Sequence, residues 1–307
     1  MKTKWAKSND MKDFLFTGIN LAISTPFNVN GKPDHGQLEQ LIERYLAAGI
    51  RGFVLSSGTG MHVYLSQEES KALVAFGAKV INGRARIIAQ TSALLVEDVV
   101  ERTRHAADCG ADGVMVLPPF FEGPTDDDGV FEFYAAVARA RLPIIGYNVP
   151  QAVGVEITPS LLLRLCEIPE FLAVKDSSGD LAKQAALVRT GLPMMNGADP
   201  LMPYALYAGV RGLIWGGANF APKTCVEFVT AAQEHRWDDA REIWRLLEPA
   251  MSLIWEGDYV QSVYAAAEMT GYGAGNPRRP LSRLSANKAD ALRGALGGLV
   301  EREKLAV

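Results

Sequence analysis

The stretch AAGIRGFVL, residues 47–55, carries the pattern from which the fold of the chain can be predicted. A helical segment ends at a glycine, a small or charged residue follows, and a short apolar run begins. The same order recurs in ADCGADGVMVL (107–117) and YAGVRGLIW (207–215). Glycine allows the left-handed turn that ends a helix, and the apolar run after it is typical of a buried strand. The repeat therefore predicts a chain built from helix and strand units in alternation.

Eight apolar runs of this kind predict eight strands, at Gly18–Thr25, Gly52–Ser57, Ala85–Thr91, Gly113–Leu117, Pro143–Val149, Phe171–Asp176, Met194–Gly197 and Gly212–Gly216. Helical periodicity fills the intervals, as where Leu38, Leu41 and Ile42 share one face. Parallel strands joined by right-handed crossovers close into an α/β (β/α)8 TIM barrel more naturally, at this number of units, than they form an open sheet. No GxGxxG follows the first strand, which weakens the doubly wound alternative.

The domain organisation follows from where this alternation stops. We expect a polar N-terminal segment at 1–14, the barrel at 15–222 and a helical region packed on the barrel at 223–307. Three helices are predicted in the last region, at Thr224–Ala232, Trp237–Tyr272 and Ser282–Leu299, with the turn-like GYGAGNPRRP (271–280) between the last two.

Composition limits the classes of partner. The chain has 48% hydrophobic and 21% charged residues, which is ordinary for a globular protein, and a formal net charge of −4 without a basic cluster. Neither nucleic acid nor a membrane is therefore expected as a partner. The polar start without an apolar leader predicts a cytoplasmic protein. Three cysteines and four histidines are scattered without CxxC or HExxH, so no metal or cofactor is predicted.

In a barrel of this kind, function belongs at the carboxyl ends of the strands. FLAVKDSSGD (171–180) places Lys175 at the end of one apolar run, and Tyr147 closes the run before it. Alternation puts Lys175 on the face of Ala173 and Phe171. Adjacent strands would then bring the amine and the phenol together at one pocket. The alternative is that Lys175 is a solvated strand end and Tyr147 a packing aromatic.

The pair of Lys175 and Tyr147 points to one kind of chemistry. Apolar surroundings favour the neutral form of an amine, which can attack a ketone and form a Schiff base. A phenol within reach can relay the protons that this reaction needs. The loop SSGTG (56–60) could hold a carboxylate through its backbone N–H groups and the hydroxyls of Ser57 and Thr59, or it could be a simple turn.

Several motifs together resemble the dihydrodipicolinate synthase / N-acetylneuraminate lyase family of class I Schiff-base lyases. They cover nearly the whole chain and read TPFNVNGKPD, SGTGMHVYLSQEE, YNVP, VKDSSGD and NGADPLMPYALYAGVRGLIWGGAN. The resemblance implies a (β/α)8 barrel with a C-terminal helical region, often in a tetramer. It implies Lys175 as the Schiff-base lysine, Tyr147 as the proton relay, Gly58 and Thr59 as the site for the carboxylate of pyruvate, and Ile214 as a backbone contact.

The chain departs from this family at positions that bear on the second substrate. YNVP is followed by Gln151-Ala152-Val153 where dihydrodipicolinate synthases have Gly-Arg-Thr, so their carboxylate-binding arginine is missing. Phe120 and Phe121 replace a tyrosine pair. Gly58 and Met61 stand where the family has a hydroxyl residue and a glutamate. Lysine biosynthesis is therefore not the expected role.

We expect a metal-independent lyase that acts on pyruvate or a related 2-keto acid, with retro-aldol cleavage of a 2-keto-3-deoxy sugar acid favoured. Dihydrodipicolinate-synthase-like condensation with an aldehyde and dehydration through the same imine are alternatives, and a non-catalytic keto-acid sensor is an alternative of another class. Ser57, His62 and Gln151 are further candidate substrate contacts, although His62 could instead be a solvated loop residue. A homo-oligomer, tetramer or dimer, is expected.

Overall fold

A computed structural model of the chain describes residues 17–123 and 126–304. Eight parallel strands form a closed barrel in chain order, and β1 pairs with both β2 and β8 to close it. The strands are β1 (Gly18–Ala22), β2 (Gly52–Leu55), β3 (Arg86–Gln90), β4 (Gly113–Val116), β5 (Ile144–Asn148), β6 (Phe171–Asp176), β7 (Met194–Asn196) and β8 (Gly212–Trp215). The predicted TIM barrel is confirmed. The predicted polar segment 1–14 lies outside the described residues.

Helices connect the strands and form the outer layer of the barrel. They are α1 (His35–Ala47), α2 (Gln67–Ile81), α3 (Val96–Asp108), α4 (Asp127–Ala138), α5 (Pro150–Val153), α6 (Pro159–Leu165), α7 (Leu181–Val188) and α8 (Met202–Tyr207). In α1 the predicted apolar face of Leu38, Leu41 and Ile42 is buried. Helix α2 begins with a capping box in which Ser66 and Glu69 satisfy each other's backbone N–H groups.

The C-terminal region contains α9 (Pro222–Gln233), α10 (Trp237–Trp255), α11 (Tyr259–Thr270), α12 (Ala286–Leu296) and α13 (Leu299–Lys304). The prediction of one helix over Trp237–Tyr272 is wrong. The chain turns at Gly257 (φ 143°) and Asp258 (φ 49°), and positive φ at consecutive residues is incompatible with a continuous right-handed helix. The break brings Trp255 and Tyr259 to the carboxyl end of the barrel. Within the described residues, none of the helices combines the length and apolarity needed to cross a membrane.

Apolar side chains fill the inside of the barrel and, in a larger layer, the space between strands and helices. The inner cluster is formed by Ala22, Val54, Ile88, Met115, Ile145, Ala173, Met195 and Ile214. The expectation that Phe171 shares this inner face is wrong. The pairing of β5 with β6 shifts by one residue between Ile144 and Ile145, so Phe171 lies outside the barrel, with its ring 5.0 Å from that of Tyr134.

The segment between α11 and α12 holds the loop that follows β2. Arg278 donates to both carboxylate oxygens of Glu69 at 2.6 and 2.7 Å and to the backbone oxygen of Tyr64 at 2.7 Å. Its own backbone N–H contacts Met61 Sδ at 3.3 Å. Arg278, in the RRP of the predicted turn, therefore acts as a clamp that holds the loop containing Thr59.

Candidate active site

Lys175 and Tyr147 lie side by side at the carboxyl end of the barrel. The two residues are direct partners in the pairing of β5 with β6, and Lys175 Nζ lies 4.0 Å from the centroid of the Tyr147 ring. Lys175 is only 5% exposed. The expected meeting of a desolvated amine with a phenol is therefore present in the fold.

Gly197, just after β7, makes room for this lysine. A Cβ at position 197 would lie 2.2 Å from Lys175 Cε and 2.3 Å from Ser177 Oγ. Because no real Cβ comes that close to a carbon atom, the lysine occupies space that only a glycine leaves free. The Lys175 side chain therefore passes close to the backbone of Gly197.

A cavity of about 550 Å³ opens above Lys175. The predicted contacts Gly58, Thr59, Gln151 and Ile214 line it together with Lys175 and Tyr147. Trp255, Tyr259 and Val260 cover it from the C-terminal region. The volume suits a small keto acid with room for a second group.

The loop after β2 contributes to this cavity unevenly. Around Gly58 there is open space, with no atom within 4 Å of the point where a Cβ would lie. The Ser57 hydroxyl is fully buried, accepts from Gly60 N at 3.1 Å and donates to Ile23 O at 3.4 Å. Ser57 shapes the loop and, unlike Gly58 and Thr59, does not line the cavity.

Gln151 stands at the glycine of the family's Gly-Arg-Thr, and Ala152, at the position of the arginine, also lines the cavity. The Gln151 amide donates to the backbone oxygen of Ser177 at 2.8 Å, which ties α5 to the loop after β6. In the part of the chain that the structure describes, Lys175 is the one basic residue that lines the cavity. Phe121, which replaces a family tyrosine, is 78% exposed and does not reach the cavity.

His62 is not the solvated loop residue that the sequence allowed. It is 9% exposed, and the Gln90 amide lies 3.1 Å from its Nε2 atom. Burial, with the charges of Arg102 and Lys175, lowers the pKa of His62 to about 3. The ring is therefore neutral near pH 7. Its Nδ1 atom and Gln90 Oε1 are buried without a partner in the described structure, although His62 does not line the cavity.

Two polar residues of the site were not assigned a role from the sequence. Asp199, three residues after β7, is fully buried and accepts a hydrogen bond from the Tyr259 hydroxyl at 2.9 Å. Burial raises the pKa of Asp199 to about 6, against the lowering effect of Tyr259 and Lys175. Asp199 lay within the quoted motif NGADP, but Tyr259 lay inside a predicted continuous helix. Only the EGD at 256–258 could have signalled that break.

A closed parallel barrel with a buried lysine beside a phenol at its carboxyl mouth defines a Schiff-base-forming lyase. The sequence model of the dihydrodipicolinate synthetase family matches residues 15–298, and the chain belongs to this family. Its members are Schiff-base lyases and synthases that work without a metal, so the expected enzyme class is confirmed.

Individual relatives support the same assignment. The 4-hydroxy-tetrahydrodipicolinate synthase of Methanothrix thermoacetophila is 32% identical over 92% of this chain and 96% of its own length. A crystal structure of a dihydrodipicolinate synthase superposes with a TM-score of 0.88 at 31% identity, covering 95% of this chain and all of that one. The Acinetobacter baumannii dihydrodipicolinate synthase, solved with pyruvate, has a TM-score of 0.86 at 30% identity and covers 92% and 98% of the two chains.

Proposed function

We propose that this protein joins pyruvate to an aldehyde through an imine on Lys175. The observation that carries the proposal is the position of Lys175 Nζ, 4.0 Å from the Tyr147 ring centroid and open to the cavity. The pyruvate complex of the Acinetobacter baumannii relative supports the keto acid. The synthase names of the relatives support bond formation over the retro-aldol cleavage that the sequence favoured.

The imine forms in two steps that need proton transfer. The neutral amine of Lys175 attacks the keto carbon of pyruvate and gives a carbinolamine, and loss of the hydroxyl as water leaves the iminium. Tyr147 would deliver the proton that makes hydroxide into water and take it back during hydrolysis. Gly58 and Thr59 would hold the carboxylate of pyruvate through their backbone N–H groups, while the backbone at Ile214 flanks the keto acid.

The carbon–carbon bond is made at the methyl carbon of pyruvate. The iminium withdraws electrons, the methyl carbon loses a proton, and the resulting enamine attacks the carbonyl carbon of the aldehyde. The aldehyde oxygen takes up a proton and becomes a hydroxyl group. Water then releases a 4-hydroxy-2-keto acid and regenerates Lys175. The same steps in reverse cleave such an acid, so one site serves both directions.

The cavity favours an uncharged aldehyde. Within the described residues, no basic side chain other than Lys175 lines the cavity, and a carboxylate on the second substrate would be desolvated without a counter-ion. Ser178 and Gln151 contribute polar side chains to the lining, while Val149, Trp255 and Val260 offer apolar surface. A hydroxylated aldehyde matches both the polar and the apolar parts of the lining. Because cleavage of a 2-keto-3-deoxy sugar acid releases such an aldehyde, this cleavage is the second candidate function.

Reductive trapping tests the first step. The protein is incubated with pyruvate and borohydride and then weighed, and we expect a mass gain of one reduced pyruvyl group on Lys175. Lys175→Ala should show no gain. A gain that survives this substitution, or no gain in the wild type, would refute the proposal. A panel of aldehydes with pyruvate, and of 2-keto-3-deoxy acids scored for pyruvate release, then separates condensation, cleavage and dehydration from pyruvate binding without turnover.

The homo-oligomer expected from the resemblance remains a prediction. Exposed apolar side chains gather in the loops that follow β2, β3 and β4, where Val63, Leu94, Leu95 and Phe121 are each more than half exposed. An assembly that covers these loops would shield the side of the mouth next to His62. Light scattering of the purified protein gives the subunit number directly.

A further inference from the structure

Asp199 holds its two carboxylate oxygens in different environments. Oδ1 accepts from Trp215 Nε1 and from Gly217 N, both at 3.0 Å, whereas Oδ2 accepts from the Tyr259 hydroxyl at 2.9 Å. A Cβ at position 217 would lie 2.6 Å from Oδ1, so only glycine allows this approach. Oδ1 is thus fixed to two N–H donors, and Oδ2 is the oxygen that faces the cavity wall.

The Tyr259 hydroxyl also meets Thr59. Thr59 Oγ1 and the Tyr259 hydroxyl oxygen lie next to each other above Gly216, within 2.7 and 2.3 Å of the point where a Cβ would be. Thr59 opposes the rise in the pKa of Tyr259, as a hydroxyl that donates to the Tyr259 oxygen does. Tyr259 and Thr59 line the cavity, while Asp199 lies behind them. Three oxygens, Asp199 Oδ2, Tyr259 Oη and Thr59 Oγ1, therefore form one chain that leads from a buried carboxylate to the loop proposed to hold the keto acid.

The number of protons on this chain decides the direction in which it donates. With Asp199 ionised there are two hydroxyl protons: Tyr259 donates to Asp199, and Thr59 donates to Tyr259. The Thr59 hydroxyl then has no proton for a ligand. With one more proton, Asp199 donates to Tyr259 and Tyr259 donates to Thr59. The Thr59 hydroxyl is now free to donate to a carboxylate in the cavity.

We infer that Asp199 and Tyr259 are positioning residues that control whether the Thr59 hydroxyl donates to the carboxylate of the keto acid, so that keto-acid binding takes up a proton at Asp199. This inference rests on the proposed function, because it uses Thr59 as a carboxylate contact. It also gives a role to Tyr259, which reaches the site only because the chain breaks between α10 and α11.

The surroundings of Asp199 make both protonation states accessible. Burial raises its pKa to about 6, while the hydrogen bonds and the charge of Lys175 on β6 oppose the rise. The other titratable groups that face this chain are Tyr259 on α11, Cys225 on α9 and Tyr147 on β5, and burial raises the pKa of both Tyr259 and Cys225. The Tyr259 phenol and the Cys225 thiol are therefore neutral near pH 7. As pH rises through 6, Asp199 ionises and keto-acid binding should weaken.

The substitution Asp199→Asn fixes the direction in which the hydrogen-bond chain donates and keeps the position of the side chain. Because Oδ1 already accepts from Trp215 and Gly217, the amide nitrogen of asparagine must face Tyr259 and donate to it. The variant therefore fixes the chain in its donating direction at every pH. Tyr259→Phe frees the Thr59 hydroxyl by a different route and leaves the charge of Asp199 in place.

The experiment measures labelling by pyruvate and cyanoborohydride between pH 5 and pH 8, by mass, as a function of pyruvate concentration. Pyruvate is an anion throughout this range. For the wild type, the half-saturating concentration should rise by about tenfold from pH 5 to pH 8, the equivalent of one hydrogen bond to a charged group. Both Asp199→Asn and Tyr259→Phe should remove most of this rise. Thr59→Val should bind weakly at every pH, without the rise.

The possible results distinguish failure of the Asp199 inference from failure of the proposed imine chemistry on which it rests. Absence of labelling in the wild type refutes the imine itself. Labelling with no rise, or a rise that Tyr259→Phe retains while Asp199→Asn removes it, overturns the inference, since the charge of Asp199 would then act on the imine directly. Tyr259→Phe alone decides the question if Asp199→Asn does not fold.

Discussion

The two sides of the barrel mouth are built differently. On the side of β5, β6 and β7, Tyr147, Lys175 and Gly197 lie at the ends of neighbouring strands, and backbone pairing fixes their relative positions. On the side of β2, Thr59 lies in a loop that is held by Tyr259 from α11 and, through Met61, by Arg278. Under the proposed function, reaction chemistry would therefore depend on strand register, and ligand recognition would depend on contacts from distant segments.

This difference explains where the chain keeps the family pattern and where it leaves it. The YNVP and KDSSG motifs belong to the strand side, and the departures lie outside the strands, with Gly58 and Met61 in the loop after β2 and Gln151 in α5. A loop residue can change without moving the imine. Substitutions on the strand side should therefore reduce the rate of the reaction, and those on the loop side should change affinity or the choice of substrate.

The largest effect is expected from Tyr147→Phe. In the proposed mechanism the phenol relays protons during carbinolamine formation, and loss of such a relay costs about 10²–10⁴ in rate. The ring itself, which packs against Lys175, stays in place. Stopped-time borohydride trapping should show slow labelling that still reaches one pyruvyl group per chain. Labelling at the wild-type rate would remove Tyr147 from the mechanism.

A pair of glycine substitutions tests the comparison directly. Gly197→Ala would place a Cβ 2.2 Å from Lys175 Cε, so the lysine must move, whereas Gly58→Ala meets open space. A displacement of about 1 Å at a reacting group can cost about 10²-fold. We expect that loss in trapping rate for Gly197→Ala, and for Gly58→Ala only a change in the pyruvate concentration needed. Equal effects on rate would contradict the division between the two sides.

The strand side was predictable because its signals are local. Apolar runs gave the eight strands, and period-two alternation placed Lys175 and Tyr147 on one face of the sheet. The prediction from alternation failed at Phe171, because a shift in the pairing register of β5 and β6 turns this residue to the outside of the barrel. Alternation is reliable only while the register is unbroken, and a register shift has no local sequence signal.

The loop side was less predictable because its contacts are long-range. Asp199 follows a predicted strand closely, but its hydrogen bond with Tyr259 depends on a helix break that the continuous helical pattern did not indicate. His62 illustrates the same limit. A histidine in a loop is expected to be exposed to solvent, yet His62 is buried and its ring contacts the side chain of Gln90 at the end of β3. Neither partner could be identified from spacing along the chain.

Gln151→Arg, one residue before the position of the family's arginine, tests whether the missing cation sets the choice of aldehyde. The position lines the cavity on the wall next to Ser177, and a guanidinium there could bind a carboxylate through two hydrogen bonds. Relative to an uncharged aldehyde, kcat/KM for a carboxylated aldehyde should rise by about tenfold, the equivalent of about 1.4 kcal/mol. Gln151→Lys is the matched control, because it adds the same positive charge but cannot form the paired hydrogen bonds of a guanidinium. No change in preference for either variant would show that Gln151 does not set it.

The smallest expected effect is that of Arg278→Ala, which removes the clamp on the β2 loop. The Glu69 carboxylate accepts two hydrogen bonds from this guanidinium, and Arg278 lowers the pKa of Glu69 to about 2. We expect a loss of about 1 kcal/mol in the free energy of unfolding and a several-fold rise in the pyruvate concentration needed for labelling, with little change in maximal rate.

The pH dependence of this loss has a definite sign. Because the pKa of Glu69 is lower in the folded state than the ordinary value of 4.5, the pair stabilises the fold above that value, and the contribution disappears as pH falls towards 2. Denaturant unfolding at pH 7 and pH 3 should therefore show a difference between wild type and Arg278→Ala that narrows at the lower pH. Lys288→Ala, which breaks the exposed pair with Asp258 in the same region, is the control and should leave labelling unchanged. Equal effects of the two substitutions on labelling would mean that Arg278 contributes surface charge alone and does not hold the loop.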